Sequence, residues 1–307
     1  MSQMQQTLAR SVTMSGTGLH SGAQVQVSVH PAPADHGIVF QRSDLPNKPL
    51  IPAMARYSRP TPLRTTLTTD EGVSLFTIEH LMSALVALDI DNALVSVAGP
   101  EIPLLDGSAL PFYEAFAKVG VSRQGKPRQA IEILEAIEVT EGDKWARLIP
   151  DARRRFQMTI DFPHTLIGQQ TYRFGLGEDD YLTDVAPART FGFLKDFEAL
   201  RAANLIKGGS LESAVVFDNN GVVNPEGLRF ADEPARHKLL DAIGDLALVG
   251  SPVLGRYEGY KASHALNTRL AQALLENTAG WRKTALVSTK KDGDSRNASQ
   301  RTVFSKA

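Results

Sequence analysis

The segment ARHKLLDAIGDL places His237 and Asp241 four residues apart. On a helix such a pair projects from one face, so a single helix could offer a metal ion an imidazole and a carboxylate. Asp245 continues that face one turn further on. The same spacing also occurs on ordinary solvated helices, so the pair alone decides nothing. The segment TIEHLMSAL adds Glu79 and His80, neighbours on a pattern that sets Ile78, Leu81, Leu85 and Leu88 at helical spacing. By itself His80 reads equally as a buried histidine with a local hydrogen bond. A hydrolytic zinc site, however, needs three protein ligands, a position open to water and a carboxylate that can take a proton. His80, His237 and Asp241 as ligands, with Glu79 as base, meet that requirement jointly. His264 begins a further helical pattern and could serve as an acid or as a cation beside an oxyanion, or simply open the helix. Thr190, in ARTFGF, could give an oxyanion a hydroxyl hydrogen bond.

Composition limits the alternatives. The 307 residues include no cysteine, which removes disulfides, thiol catalysis and thiolate metal sites. Any zinc must then be held by nitrogen and oxygen, the donor type of catalytic sites. A net charge of -1 argues against bulk attraction to nucleic acid or anionic membrane. The N-terminus lacks an apolar signal region, and no apolar stretch is long enough to span a bilayer. These features predict a soluble, cytoplasmic protein.

The elements that must position the site are partly readable. Val25, Val27 and Val29 alternate with polar residues as in a half-buried strand, and GIVFQR and ALVSV read as strands. The helix over 77–88 has Ser74 or Thr77 available as cap, and a second helix spans 108–119. Polar, breaker-rich residues 120–130 read as a domain boundary, dividing the chain into 1–125 and 126–285. Beyond it, IEILEAIEV and RRFQMTIDF are strands. A helix over 234–249 has Asp232 as cap and Gly250 as stop, and another spans 263–276. Residues 286–307 read as a mobile tail, and His20, His30, His36 and His164 as mostly surface residues. Arg64-Thr65 and Arg189-Thr190 each precede a His-bearing helix, an ALV strand and a further helix start. That echo suggests a duplicated β-α-α-β unit with an elaborated second copy.

With the segments SGTGLHSG (15–22), LRTTL (63–67), GPEIPLLDGSA (99–109), GLRFADEPARHKLLDAIGDL (227–246) and YKASHALN (260–267) in the same order, the chain resembles the UDP-3-O-acyl-N-acetylglucosamine deacetylase family. These are zinc enzymes of lipid A synthesis in Gram-negative bacteria. The resemblance implies an α+β fold of two tandem β-α-α-β sandwich domains packed face to face, the second carrying a βαβ-like insert around 193–217. It implies one zinc ion per chain on His80, His237 and Asp241, with Glu79 as base and His264, oriented by Asp245, as second catalytic group. Thr190 would contact the oxyanion and Lys238 the substrate. Asp161 and Phe162 would engage uridine, and Lys238 and Lys261 the diphosphate. Leu19, Phe191, Phe193, Gly209 and Ser210 would line the substrate's acyl end. Some relatives carry cysteine where Gly209 stands, which bears on the width of that passage.

The implied reaction releases acetate from UDP-3-O-(3-hydroxyacyl)-N-acetylglucosamine, the committed step of lipid A synthesis, in a monomeric enzyme without nucleic-acid partners. The tail implies a regulated protease as candidate partner. A non-catalytic binder would need a degenerate metal site, whereas every site position is filled. A zinc peptidase of another fold would call for an HExxH segment, which the chain lacks.

Overall fold

The structure is a computed structural model describing residues 2–287 except 62 and 204. Its fold is α+β. Six α-helices lie among the described residues: α1 (Glu79–Ala87), α2 (Leu110–Val119), α3 (Tyr181–Asp184), α4 (Phe197–Ala202), α5 (Glu233–Leu246) and α6 (His264–Glu276).

In the first half, five strands form one sheet in the order Val12–Thr17, Gln24–Pro31, Ala93–Val97, Ile38–Arg42, Leu50–Pro52. The alternation in Gln24–Pro31 buries Val25, Val27 and Val29. Each such burial stabilises by about 1.5–3 kcal/mol, and a one-residue slip would turn all three to solvent. The breaker-rich stretch after α2 is itself a strand. Val121–Pro127 pairs antiparallel with Met4–Leu8, with Thr7 opposite Ser122 and Leu8 opposite Val121. Its side chains are nearly all exposed, so it carries no hydrophobic period by which to read it.

The second half is built on a seven-stranded sheet around Val253–Tyr260, which pairs with Lys144–Ile149, Arg154–Phe162 and Gln129–Ile133. Helices α5 and α6 pack on this sheet and on each other, and α1 packs against α5. Within this half Phe191–Phe193 runs parallel to Val215–Phe217, with α4 between them, which makes the inserted βαβ unit.

The helix ends explain how side chains reach the site. Neither Ser74 nor Thr77 caps α1. Ser74 lies in strand Ser74–Phe76, and Thr77 turns the chain with φ 59 while its hydroxyl donates to Glu101. Positive φ is costly for a β-branched residue, and the buried Glu101 carboxylate holds it there. Asp232 stands at the start of α5, but its carboxylate accepts from Arg236 rather than from the backbone. Gly250 ends the following turn in the left-handed region, with φ 84. Ser263 caps α6 by accepting from the Leu266 amide at 3.3 Å. Leu286 and Val287, which the sequence places in the tail, are held by backbone pairing. The Leu286 amide donates to Arg128 O and its carbonyl accepts from Gln3, while Val287 bridges to Ser2. The remainder of that tail lies outside the described residues. No helix among the described residues is long and apolar enough to cross a membrane.

Candidate active site

The start of α1, the middle of α5 and the start of α6 bring Glu79, His80, His237, Asp241, Asp245 and His264 together, all buried. One ligand atom from each of His80, His237 and Asp241 lies within 4.8 Å of the other two. The two imidazoles stand edge to face at 5.0 Å between centroids. His237 Nδ1 is 3.0 Å from the Ala188 carbonyl. A carbonyl only accepts, so Nδ1 carries the proton and the Nε2 lone pair is free. Burial lowers the His237 pKa to about 3, which keeps the ring neutral.

Asp241 Oδ1 is buried without a hydrogen-bond partner and stands 3.5 Å from His80 Nε2 and 3.3 Å from His237 Nε2. A buried carboxylate oxygen left unpaired between two imidazole nitrogens is a costly arrangement for the protein alone. It is the arrangement a divalent cation with nitrogen and oxygen ligands requires. Burial works against the charge on Asp241, yet His237, Lys238 and His264 hold its pKa well below the usual range. Lys238 supplies part of this by donating to Asp241 Oδ2 at 2.9 Å.

On the other side of the cluster, burial raises the pKa of Glu79. Its Oε2 accepts from the Thr65 amide at 3.1 Å. His264 Nε2 faces Glu79 Oε1 at 4.0 Å and Asp241 Oδ2 at 3.6 Å. Its Nδ1 lies 3.0 Å from Asp245 Oδ2. Burial alone would lower the pKa of His264, but Asp245, Asp241 and Glu79 raise it to about 9, so the ring is a cation at neutral pH. A buried carboxylate and a buried imidazolium thus face one another beside the candidate metal ligands.

The remaining sequence candidates are spread over several places around this cluster. Thr190 is held by its backbone, donating to Gly107 and accepting from Val215. Just before it, Arg189 forms a buried ion pair at 2.9 Å with Glu233 in the first turn of α5. The loop that contacts His237 is therefore tied to the helix that carries it. Phe162, Phe191 and Phe193 form one aromatic cluster, with Phe162 centroids 5.5 and 5.6 Å from the other two. Phe191 extends it to His237 at 6.4 Å. The positions assigned to the uridine and acyl ends thus share this cluster. Leu19 and Gly209 meet where the insert folds over the loop 18–22, with Gly208 donating to the Leu19 carbonyl. Ser210 closes a local turn with Ser213. Asp161 accepts from Tyr260 and lies beside Lys261, which also pairs with Asp143.

Several residues in this assembly carry no sequence signal of their own. Thr65 lies in LRTTL, and Glu101 in GPEIPLLDGSA. The Glu101 carboxylate gathers the His20 and Ser21 amides and the Thr77 hydroxyl. That pull buries His20 to 3% exposure, against the surface position expected for it. Asn267 donates to Asp245 and accepts from Tyr257.

The chain is similar to known proteins over nearly all of its length. The family model for UDP-3-O-acyl N-acetylglycosamine deacetylase matches residues 5–276. The chain is 46% identical over 273 residues to the UDP-3-O-acyl-N-acetylglucosamine deacetylase of Myxococcus xanthus, covering 89% of this chain and 87% of that one. It is 45% identical over 292 residues to the enzyme of the same name from Shewanella baltica, covering 94% of each. The likeness to the Shewanella oneidensis enzyme is 44% over 292 residues. The chain therefore belongs to the UDP-3-O-acyl N-acetylglycosamine deacetylase family.

Proposed function

We propose that this chain is the zinc-dependent deacetylase that hydrolyses the N-acetyl group of UDP-3-O-(3-hydroxyacyl)-N-acetylglucosamine. It releases acetate and the free amine as the committed step of lipid A synthesis in the cytoplasm. The observation that carries this reading is the unpaired Asp241 Oδ1 between two imidazole nitrogens, flanked by Glu79 and His264. His80, His237 and Asp241 would hold one zinc ion. When bound there, zinc supplies Lewis acidity toward the acetamide carbonyl and a water acidic enough to attack near neutral pH.

The chain's own residues supply the rest. Glu79, buried and anchored by the Thr65 amide, takes a proton from the attacking water. His264, kept cationic by Asp245, lies opposite and stabilises the developing oxyanion together with Thr190. The leaving amine receives its proton from His264 or from Glu79, which stand 4.0 Å apart. Lys238 meets the polar end of the substrate next to Asp241. Asp161, Phe162 and Lys261 take the uridine diphosphate end. Leu19, with Phe191, Phe193, Gly209 and Ser210 of the insert, lines the way for the acyl chain.

The deciding experiment is acetate release from the acylated UDP-sugar by protein of known zinc content. Turnover that depends on bound zinc supports the reading. Zinc-loaded protein that binds this substrate without releasing acetate overturns it.

A further inference from the structure

Thr65 is 1% exposed, and all its polar groups are engaged. Its amide donates to Glu79 Oε2 at 3.1 Å, and its carbonyl accepts from Thr77, two residues before Glu79. Its hydroxyl bonds to Asp245 Oδ1 and lies 3.1 Å from His264 Nδ1. Proton accounting fixes the roles. A carboxylate only accepts, so the hydroxyl proton points at Asp245, and a lone pair of the same oxygen faces the His264 Nδ1–H. That N–H also meets Asp245 Oδ2 at 3.0 Å, and Asn267 donates to Oδ2 at 2.8 Å. Thr65, Asp245 and His264 therefore close a ring, and the first of them comes from the opposite half of the chain.

We propose that Thr65 is a positioning residue for the proton transfers of the hydrolysis. Through its hydroxyl and Asp245 it fixes the plane of the His264 ring and the direction of its Nδ1–H, and through its amide the carboxylate of Glu79. The separation between His264 Nε2 and Glu79 Oε1 is thereby set by one residue. This rests on the reading of Glu79 and His264 given above. A threonine kept only for packing would contribute its methyl group. Here the hydroxyl sits among buried charged groups, where removing it strands an acceptor oxygen of Asp245.

The test uses zinc-loaded full-length protein and four variants: Thr65→Val, Thr65→Ser, His264→Ala, and Thr65→Val with His264→Ala. The readouts are kcat, KM for the acylated substrate, and zinc per chain. Thr65→Val is expected to lower kcat about 10–100-fold, with KM within about 3-fold and zinc retained. Thr65→Ser, which keeps the hydroxyl, is expected to stay within about 3-fold of wild type. In the His264→Ala background, Thr65→Val is expected to lower kcat by less than about 2-fold, because the two residues act as a unit.

Wild-type kcat in Thr65→Val, while His264→Ala is impaired, overturns the role of Thr65 alone. A loss of about ten-fold in Thr65→Ser, too large for a variant that keeps the hydroxyl, overturns it even where the valine variant does not fold. Full activity in His264→Ala overturns the reading of His264, and with it the route assigned to Thr65.

Discussion

Gly244 of α5 and Glu79 of α1 touch through backbone alone. A β-carbon on Gly244 would overlap the Glu79 carbonyl oxygen and stand 2.8 Å from its carbonyl carbon. This contact sets the depth at which the helix bearing the candidate base meets the helix bearing His237, Asp241 and Asp245. Alanine would favour the helix by up to about 1 kcal/mol, but the backbone overlap outweighs that. Gly244→Ala is expected to destabilise the fold by about 1–3 kcal/mol through overpacking. It is expected to lower kcat about 100-fold, the effect of a ~1 Å misplacement of a reacting group. Thermal unfolding and steady-state kinetics check both; an unchanged kcat contradicts the contact's role.

The site was legible where one helix carries several of its groups. His237, Asp241 and Asp245 announce themselves by i, i+4 spacing, and Glu79-His80 by an amphipathic pattern. The strand alternation of Val25, Val27 and Val29 was legible because one face is buried. What failed to show was long-range closure. The hydroxyl of Thr65 meets Asp245 across 180 residues, and Glu101 buries His20 from 81 residues away. Strand Val121–Pro127 hid because main-chain pairing holds it while its side chains face solvent. Thr77, like Ser74, suits a cap by residue type, whereas Glu101 claims the Thr77 hydroxyl.

His20, which is not among the candidate metal ligands, gives its own pH signature. Burial lowers its pKa to about 4, against the pull of Glu101. The unfolded chain, with a histidine near 6.5, therefore binds more protons than the folded one between these values, and stability falls as pH drops from about 6.5 to about 4. The loss is at most about 3 kcal/mol. His20→Gln should flatten this part of the profile. Urea midpoints at several pH values across this window, for both proteins, check it; parallel profiles contradict it.

Glu79→Gln keeps the shape of the side chain and removes its basicity. The expected loss in kcat is about 10²–10⁴-fold, with zinc content unchanged, because Glu79 is not among the candidate ligands. Metal analysis beside kinetics separates the two roles. Loss of zinc together with activity would instead make Glu79 a ligand.

Under the proposed function, the aromatic cluster of Phe162 with Phe191 and Phe193 of the insert would make turnover depend strongly on the acyl chain. Burying ~10 methylenes offers up to ~8 kcal/mol before ordering costs. The kcat/KM for unacylated UDP-N-acetylglucosamine should fall at least about 100-fold below that of the acylated substrate. Equal values for the two substrates would remove the insert from substrate recognition.

The most direct test is acetate release from acylated UDP-N-acetylglucosamine during stepwise addition of zinc to chelator-stripped protein. Activity should rise in proportion to bound zinc and level off at one ion per chain, and Asp241→Asn should bind zinc more weakly and recover little of it. Full activity in the stripped protein would contradict the account.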